Sequence, residues 1–170
     1  MIAYVQEQSD WKPLPEDAGE FTKRRLDRLN NQTDGEKVDA LRGELQRTVQ
    51  LHAGVFRTDA ILKDGVEKVL KLYERSKNTE IGDKSMVWNT ARIEALELDN
   101  LMEVAKATMI AAEARKESRG AHASDDHPDR DDENWMKHSL FYTEDDRLAY
   151  KPVHTKPLTV EYIKPAKRVY

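Results

Sequence analysis

The chain has 170 residues, 38% hydrophobic and 35% charged, with 28 basic against 32 acidic side chains and a net charge of −4. That size sets one domain, or one with a small appendage, and its clusters of Leu, Val and Trp exclude a disordered chain. The near balance of charge gives no global field for nucleic acid, the absence of cysteine excludes disulfides and thiolate-held metal centres carried by this chain itself, and no apolar run is long enough to span a bilayer.

Met1-Ile2-Ala3-Tyr4-Val5 is short and apolar with no cap before it, and reads as the tail of an element begun upstream. Trp11-Lys12-Pro13-Leu14-Pro15 follows as an extended stop, so residues 1–15 form a tail and linker. Ala18, Phe21, Arg25 and Leu29 allow an amphipathic helix from Glu16 to Asn30, and the turn from Asn30 to Gly35 offers Thr33 or Asp34 as the next cap. Val38, Leu41, Leu45, Val49 and His52 recur every three or four residues, which predicts a one-faced helix ending near Gly54. Leu62, Val66, Val69 and Tyr73 predict another, beginning near Thr58 and fraying at Lys77-Asn78.

The strongest helical pattern runs from Asn89 to Ala114. One face carries Leu98, Leu101, Met102, Ala105, Met109 and Ala112. A nearly opposite face carries Ile93, Leu96, Val104, Ala107 and Ala111, and charge is confined to a stripe of Asp99, Glu103, Lys106 and Glu113. A helix apolar on two sides is buried on two sides; one face should cover the shorter helices and the other should dock on something further. From Ser124 to Glu133 six acids stand against one arginine. The period then changes: residues 135–142 alternate like a strand, Arg147–Lys151 pairs with it across the turn at Thr143–Asp146, and Leu158–Tyr162 adds a short third strand. Pro152, Pro157 and Pro165 confine these strands to edges or extended arms. The fold class is therefore mainly α: a three- to four-helix bundle over 16–116, a charged connection over 117–134, and a small β-containing C-terminal subdomain over 135–170.

Chemistry is sparse. The seven glycines, no two closer than eight residues, leave neither a dinucleotide fingerprint nor a P-loop. His122 and His127, with Asp125 and Asp126 between them, offer metal-ligand chemistry, but the spacing fits no defined motif and reads as a solvated acidic loop. There is no Gly-x-Ser-x-Gly, and the serines sit on exposed-looking segments. No catalytic, cofactor-binding or metal residue is assigned. Arg119 and Arg130 carry forks suited to a carboxylate, including one on a substrate; the preferred reading is a domain seam. There Arg119 ties the helix end to carbonyls, Gly120 supplies the left-handed residue that ends the helix, and Asp131 or Asp132 pairs with an arginine. The candidate seam residues are Arg57, Arg119, Gly120, His122, Arg130, Asp131 and Asp132.

Glu113-Ala114-Arg115-Lys116-Glu117-Ser118-Arg119-Gly120-Ala121-His122, with Pro128-Asp129-Arg130-Asp131-Asp132-Glu133-Asn134-Trp135-Met136-Lys137-His138, resembles the C-terminal region of the succinate dehydrogenase/fumarate reductase flavoprotein subunit, most closely succinate dehydrogenase. Gly54-Val55-Phe56-Arg57, Trp88-Asn89-Thr90, Glu94–Leu101, Lys151-Pro152-Val153, Lys156–Val160 and the closing Pro165–Tyr170 support it along nearly the whole chain. Ser124, where the family often carries Arg, and His127, where Tyr or Phe is common, depart from the pattern. The resemblance implies a parent that carries FAD, oxidises succinate to fumarate and passes electrons to an iron–sulfur subunit and then quinone. The flavin fold, the flavin-linking His and the catalytic Arg would all lie upstream, with residues 1–15 including the end of that flavin domain. Its implied partners are the flavin-binding domain in cis and the iron–sulfur subunit, with no nucleic acid and with membrane contact only through anchor subunits at the cytoplasmic face of a bacterial inner membrane. This region alone is expected to bind no FAD and to be inactive. The alternatives are the same region of L-aspartate oxidase, or a stand-alone helical protein-binding adaptor.

Overall fold

The computed structural model describes residues 2–7 and 12–166. Met1, Trp11 at the head of the two-proline stop, and the closing Lys167–Tyr170 lie outside them. The elements are α1 (Ile2–Glu7), α2 (Glu20–Asn31), β1 (Glu36–Lys37), α3 (Val38–His52), α4 (Asp59–Ser76), β2 (Thr79–Glu80), α5 (Thr90–Ala114), β3 (Lys137–Tyr142) and β4 (Arg147–Pro152). Five helices and two two-stranded sheets make the described chain mainly α, with a small β part.

Side-chain caps place the two longest helices. The Thr58 hydroxyl accepts from the Ile61 N–H at 3.2 Å to start α4, and the Asn89 amide oxygen accepts from the Arg92 N–H at 2.8 Å to start α5. Leu41 and Leu45 of α3, Leu62, Val69 and Leu72 of α4, and Leu98, Met102 and Met109 of α5 then close one core. A smaller cluster of Leu29, Ile81 and Ala95 seats α2 on the start of α5. There Arg28 forks Asp99 at 2.8 and 2.9 Å, and Arg25 donates to the Leu96 carbonyl at 3.0 Å. His52, on the predicted apolar stripe of α3, is buried with Nδ1 2.7 Å from the Thr48 carbonyl oxygen and Nε2 2.9 Å from the Asp64 carboxylate.

Gly65 lets the three core helices meet. A Cβ there would lie 2.4 Å from both the His52 Cβ and the Met109 Cε. Met109 can yield, being the end of a flexible side chain, but the His52 Cβ cannot move without α3. Gly65→Ala is therefore expected to lose about 1 kcal/mol net, overpacking outweighing the gain in helix propensity. A lower urea midpoint at unchanged m-value checks it.

Several expectations give way. Helix α2 begins at Glu20, not Glu16, because residues 16–19 form a turn ending in Gly19 at φ +90°. Neither Thr33 nor Asp34 caps α3: the chain runs extended through β1, which pairs in parallel with β2 (Glu36 to Thr79, Lys37 to Glu80). Gly35 permits this approach, since a Cβ there would sit 2.4 Å from the Asn78 carbonyl oxygen. Strand β3 starts at Lys137 and pairs antiparallel with β4, Ser139 facing Tyr150 and Phe141 facing Leu148. The third strand at Leu158–Tyr162 does not form. That segment is exposed and unpaired, and it follows Pro157, which donates no ladder hydrogen bond.

The charge stripe on α5 also reads differently in three dimensions. Lys106 is only 2% exposed, its Nζ 2.8 Å from Asp146, 3.3 Å from Glu103 and 3.8 Å above the Tyr73 ring. Burial pushes its pKa down, but the Asp146 hydrogen bond and the Glu103 charge push it up further, so it stays a cation that ties the hairpin to the bundle. On the other side of α5, Ile93 and Val104 are exposed together with Leu101, which was expected in the core, while Leu96 is half-buried. One face of α5 is covered and the other is open.

Candidate functional site

Helix α5 stops at Ala114, with the Arg115 N–H closing back on the Ala112 carbonyl and Arg115 itself extended. Four residues on, the chain reverses: the Arg119 N–H donates to the His122 carbonyl at 2.8 Å and the His122 N–H to the Arg119 carbonyl at 3.0 Å. Gly120, at φ +59°, takes the first central place of this two-residue turn, a conformation that favours glycine. It therefore serves the turn and does not end the helix. Arg119, expected to tie down the helix end, instead pairs with carboxylates, while Arg115 reaches the carbonyls of Trp135 and Lys137 at 3.2 and 2.9 Å.

At the centre lies Glu117, fully buried. Arg115 donates to its Oε1 at 2.6 Å, Arg119 Nε and Nη2 to its two oxygens at 2.8 and 2.9 Å, and the Asp131 N–H to Oε2 at 2.9 Å. Burial raises the carboxyl's pKa, but Arg119, the Asp131 N–H and Arg115 outweigh burial and hold it below the usual carboxylate range. Arg119 continues to Asp132 at 2.7 Å, and Arg130 forks the same carboxylate at 2.8 and 2.9 Å while donating to the Ala166 carbonyl at 2.8 Å. The Asp131 carboxylate accepts the N–H groups of Glu133 and Asn134 at 3.1 and 2.9 Å and so fixes the following turn.

Arg57 approaches from the α3–α4 junction. It donates to the Gly54 and Ala53 carbonyls at 2.9 Å each and to His122 Nδ1 at 2.8 Å, and its own carbonyl accepts the Asp125 N–H at 2.8 Å. Beside it Val55 and Phe56 are 70% and 75% exposed. Arg57, Arg119, Gly120, His122, Arg130, Asp131 and Asp132 are thus brought into one connected cluster.

Sequence reasoning missed the centre of that cluster, Glu117, and its partner Arg115. The signal was the spacing: on an extended segment, residues 115, 117 and 119 share one side, so an acid between two arginines at a two-residue period marks a clamp. It also misjudged Ser118 and Ser124. The Ser118 hydroxyl donates to the His127 carbonyl at 2.8 Å and accepts the Ser124 N–H at 2.9 Å, and Ser124 is buried. These hydroxyls knit the loop. The two histidines part company, since His127 faces Asp59 at 3.1 Å while His122 faces Arg57. Among the described residues, no group of three or more His, Asp or Glu could hold a metal ion.

A second uncovered set, Met86, Val87 and Trp88, stands at the other end of α5. The 25 residues of that helix separate it from Glu117 by about 37 Å, so it is a different surface. Neither end offers a dinucleotide cradle. Gly19 and Gly120, the described glycines at positive φ, have no second glycine within eight residues, so neither belongs to a dinucleotide fingerprint. Among the described residues no helix is long and apolar enough to cross a membrane.

The fumarate reductase flavoprotein C-terminal family model matches residues 42–170. The chain is 47% identical over 163 residues to the mitochondrial succinate dehydrogenase (ubiquinone) flavoprotein subunit of Oryza sativa, covering 94% of this chain and 26% of that one. It is 43% identical over 171 residues to the succinate dehydrogenase flavoprotein subunit of Rickettsia bellii, covering 98% and 29%. An E. coli quinol fumarate reductase structure superposes with a TM-score of 0.76 at 33% identity, over 90% of this chain and 27% of that one. The chain spans a little over a quarter of the length of these relatives.

Proposed function

Because the chain belongs to the succinate dehydrogenase/fumarate reductase flavoprotein family, as its C-terminal part, we propose that it is the helical and tail portion of a succinate dehydrogenase flavoprotein subunit whose own role is to dock on the flavin-binding domain. On this reading the parent subunit holds FAD, oxidises succinate to fumarate and passes electrons through an iron–sulfur subunit to quinone. Anchor subunits keep the complex at the cytoplasmic face of a bacterial inner membrane. No step of that redox chemistry runs through the residues of this chain.

What supports the docking role is the rigid cluster around Glu117 lying beside the uncovered Val55 and Phe56. Large exposed apolar side chains rimmed by a fixed polar network are the make-up of an interface. The cluster is already held by its own hydrogen bonds, so docking would need little further ordering. Here the seam residues position a surface; they do not themselves reach across it.

Replacing the matched 26% of the Oryza sativa subunit with this chain tests the role. The chimera is expected to keep bound flavin and succinate oxidation. A chimera that melts normally but loses its flavin would contradict the docking role. The chain alone, given FAD and succinate, should show no bound flavin spectrum and no dye reduction; turnover by the pure chain overturns the proposal.

A further inference from the structure

His122 joins the reversing turn to two other segments. Its Nδ1 lies 2.8 Å from Arg57 Nη1, and its Nε2 lies 3.2 Å from the Arg115 carbonyl oxygen. A guanidinium has donors only and a carbonyl accepts only. The two neighbours therefore fix a single neutral tautomer, with the hydrogen on Nε2 and the lone pair of Nδ1 turned to Arg57. A second proton has one place to go, Nδ1, where it would face a cation at hydrogen-bond distance.

Arg57 cannot yield without loosening its surroundings. Its other two nitrogens hold the Gly54 and Ala53 carbonyls beyond the end of α3, and its backbone carbonyl holds the Asp125 N–H. The charged groups around the imidazole include Arg57 from the α3–α4 junction, Arg115 and Glu117 from the segment after α5, and Arg119, Asp129 and Arg130, which line the same cavity as His122. Glu117 is saturated by Arg115, Arg119 and the Asp131 N–H, so it acts on an imidazolium through its charge, which favours the proton, and not as a hydrogen-bond acceptor. Burial holds His122 below the ordinary histidine range. The Arg115 carbonyl opposes that shift, and the charges of Arg57 and Arg115 reinforce it.

We propose that the His122–Arg57 contact is an acid-released latch: protonation of His122 expels Arg57, loosens the turn at 118–125 against the α3–α4 junction while Lys116, Asp126 and His127 stay tied to Asp59, and weakens docking of this face as pH falls. The latch itself stands on the geometry of the turn, whereas its effect on docking rests on the seam reading above. The direction follows from linkage. The released chain, with an unperturbed histidine near about 6.5, binds more protons than the latched one. The contact is complete above that value and is lost as pH falls from it through the depressed folded-state value.

The test is an NMR titration of the histidine-labelled chain, read together with the protection factor of the Asp125 amide. His122 is expected to remain in the Nε2–H tautomer and to titrate below the ordinary histidine range. Asp125 protection should fall about tenfold per pH unit within the window between the released and latched values. Arg57→Met should raise the His122 midpoint. His122→Gln, whose amide can accept from Arg57 and donate to the Arg115 carbonyl, should keep neutral-pH protection and remove the acid step. An ordinary His122 midpoint, or an Asp125 step that survives in His122→Gln, overturns the latch. Flavin retention in the Oryza chimera separates the two readings. A chimera that binds flavin at neutral pH and holds it unchanged across the titration window overturns the docking consequence alone, and one that folds but never binds flavin overturns the seam.

Discussion

Glu117→Ala is expected to cost about 3–5 kcal/mol of folding stability, the usual penalty for removing one member of a buried, hydrogen-bonded charge pair. Its carboxylate is fully buried and takes four hydrogen bonds, from Arg115, from two nitrogens of Arg119 and from the Asp131 N–H. Alanine would leave two guanidinium groups and a backbone N–H without this acceptor. Glu117→Gln should cost less, since its amide oxygen still serves one side of the clamp. Urea denaturation at neutral pH checks both, a fall in midpoint at constant m-value being the expected form. The pH dependence follows from the same contacts. A folded carboxyl held below its unfolded value, about 4.3, contributes its full stability above that value and loses it as pH falls through the folded one. Glu117→Gln should flatten that part of the acid limb.

Lys106→Ala is the second large effect, expected at about 2–4 kcal/mol. The ammonium lies over Tyr73 and between Glu103 and Asp146, and the aliphatic stem fills space between α4, α5 and the hairpin. Its loss removes two ion pairs, a cation–π contact and buried apolar area together. The consequence should be local as well as global. Asp146, at the hairpin turn with φ +53°, is a charged hold of the hairpin on the bundle at the end opposite Arg115, so amide protection across β3 and β4 should fall more than across α3. Lys106→Met, which keeps the stem, should recover part of the stability and little of the hairpin protection. Equal losses in the hairpin and in α3 would count against a docking role for this lysine.

The helical core was legible because each contact leaves a trace at three- and four-residue spacing. Leu41, Leu45, Leu62, Val69, Leu98, Met102 and Met109 all sit where that period puts them. Asn89 and Thr58 mark their helix starts by the same local chemistry. Strands β1 and β2 left no such trace. They are held by backbone pairing of two residues each, 43 positions apart, with no side-chain alternation to read. The burial of Lys106 left no trace in the sequence, because a charge on a helix is ordinarily solvated and its partners Tyr73 and Asp146 lie far off in the chain. The candidate seam residues stand in two stretches of sequence, Arg57 in one and residues 119–132 in the other, and neither stretch discloses which partners they hold. The pairing of Arg119 with Glu117 and of His122 with Arg57 depends on the reversal at Gly120, and one glycine in a charged run does not disclose which way the chain turns.

Residue-level hydroxyl-radical footprinting of this chain alone and within the Oryza chimera tests the central claim most directly. Phe56, the largest exposed side chain beside the Arg57–His122 contact, should be heavily oxidised in the free chain and strongly protected in the flavin-loaded chimera, together with Val55. Equal oxidation of Phe56 in the two, with flavin bound, would show that this face does not meet the flavin domain and would contradict the seam.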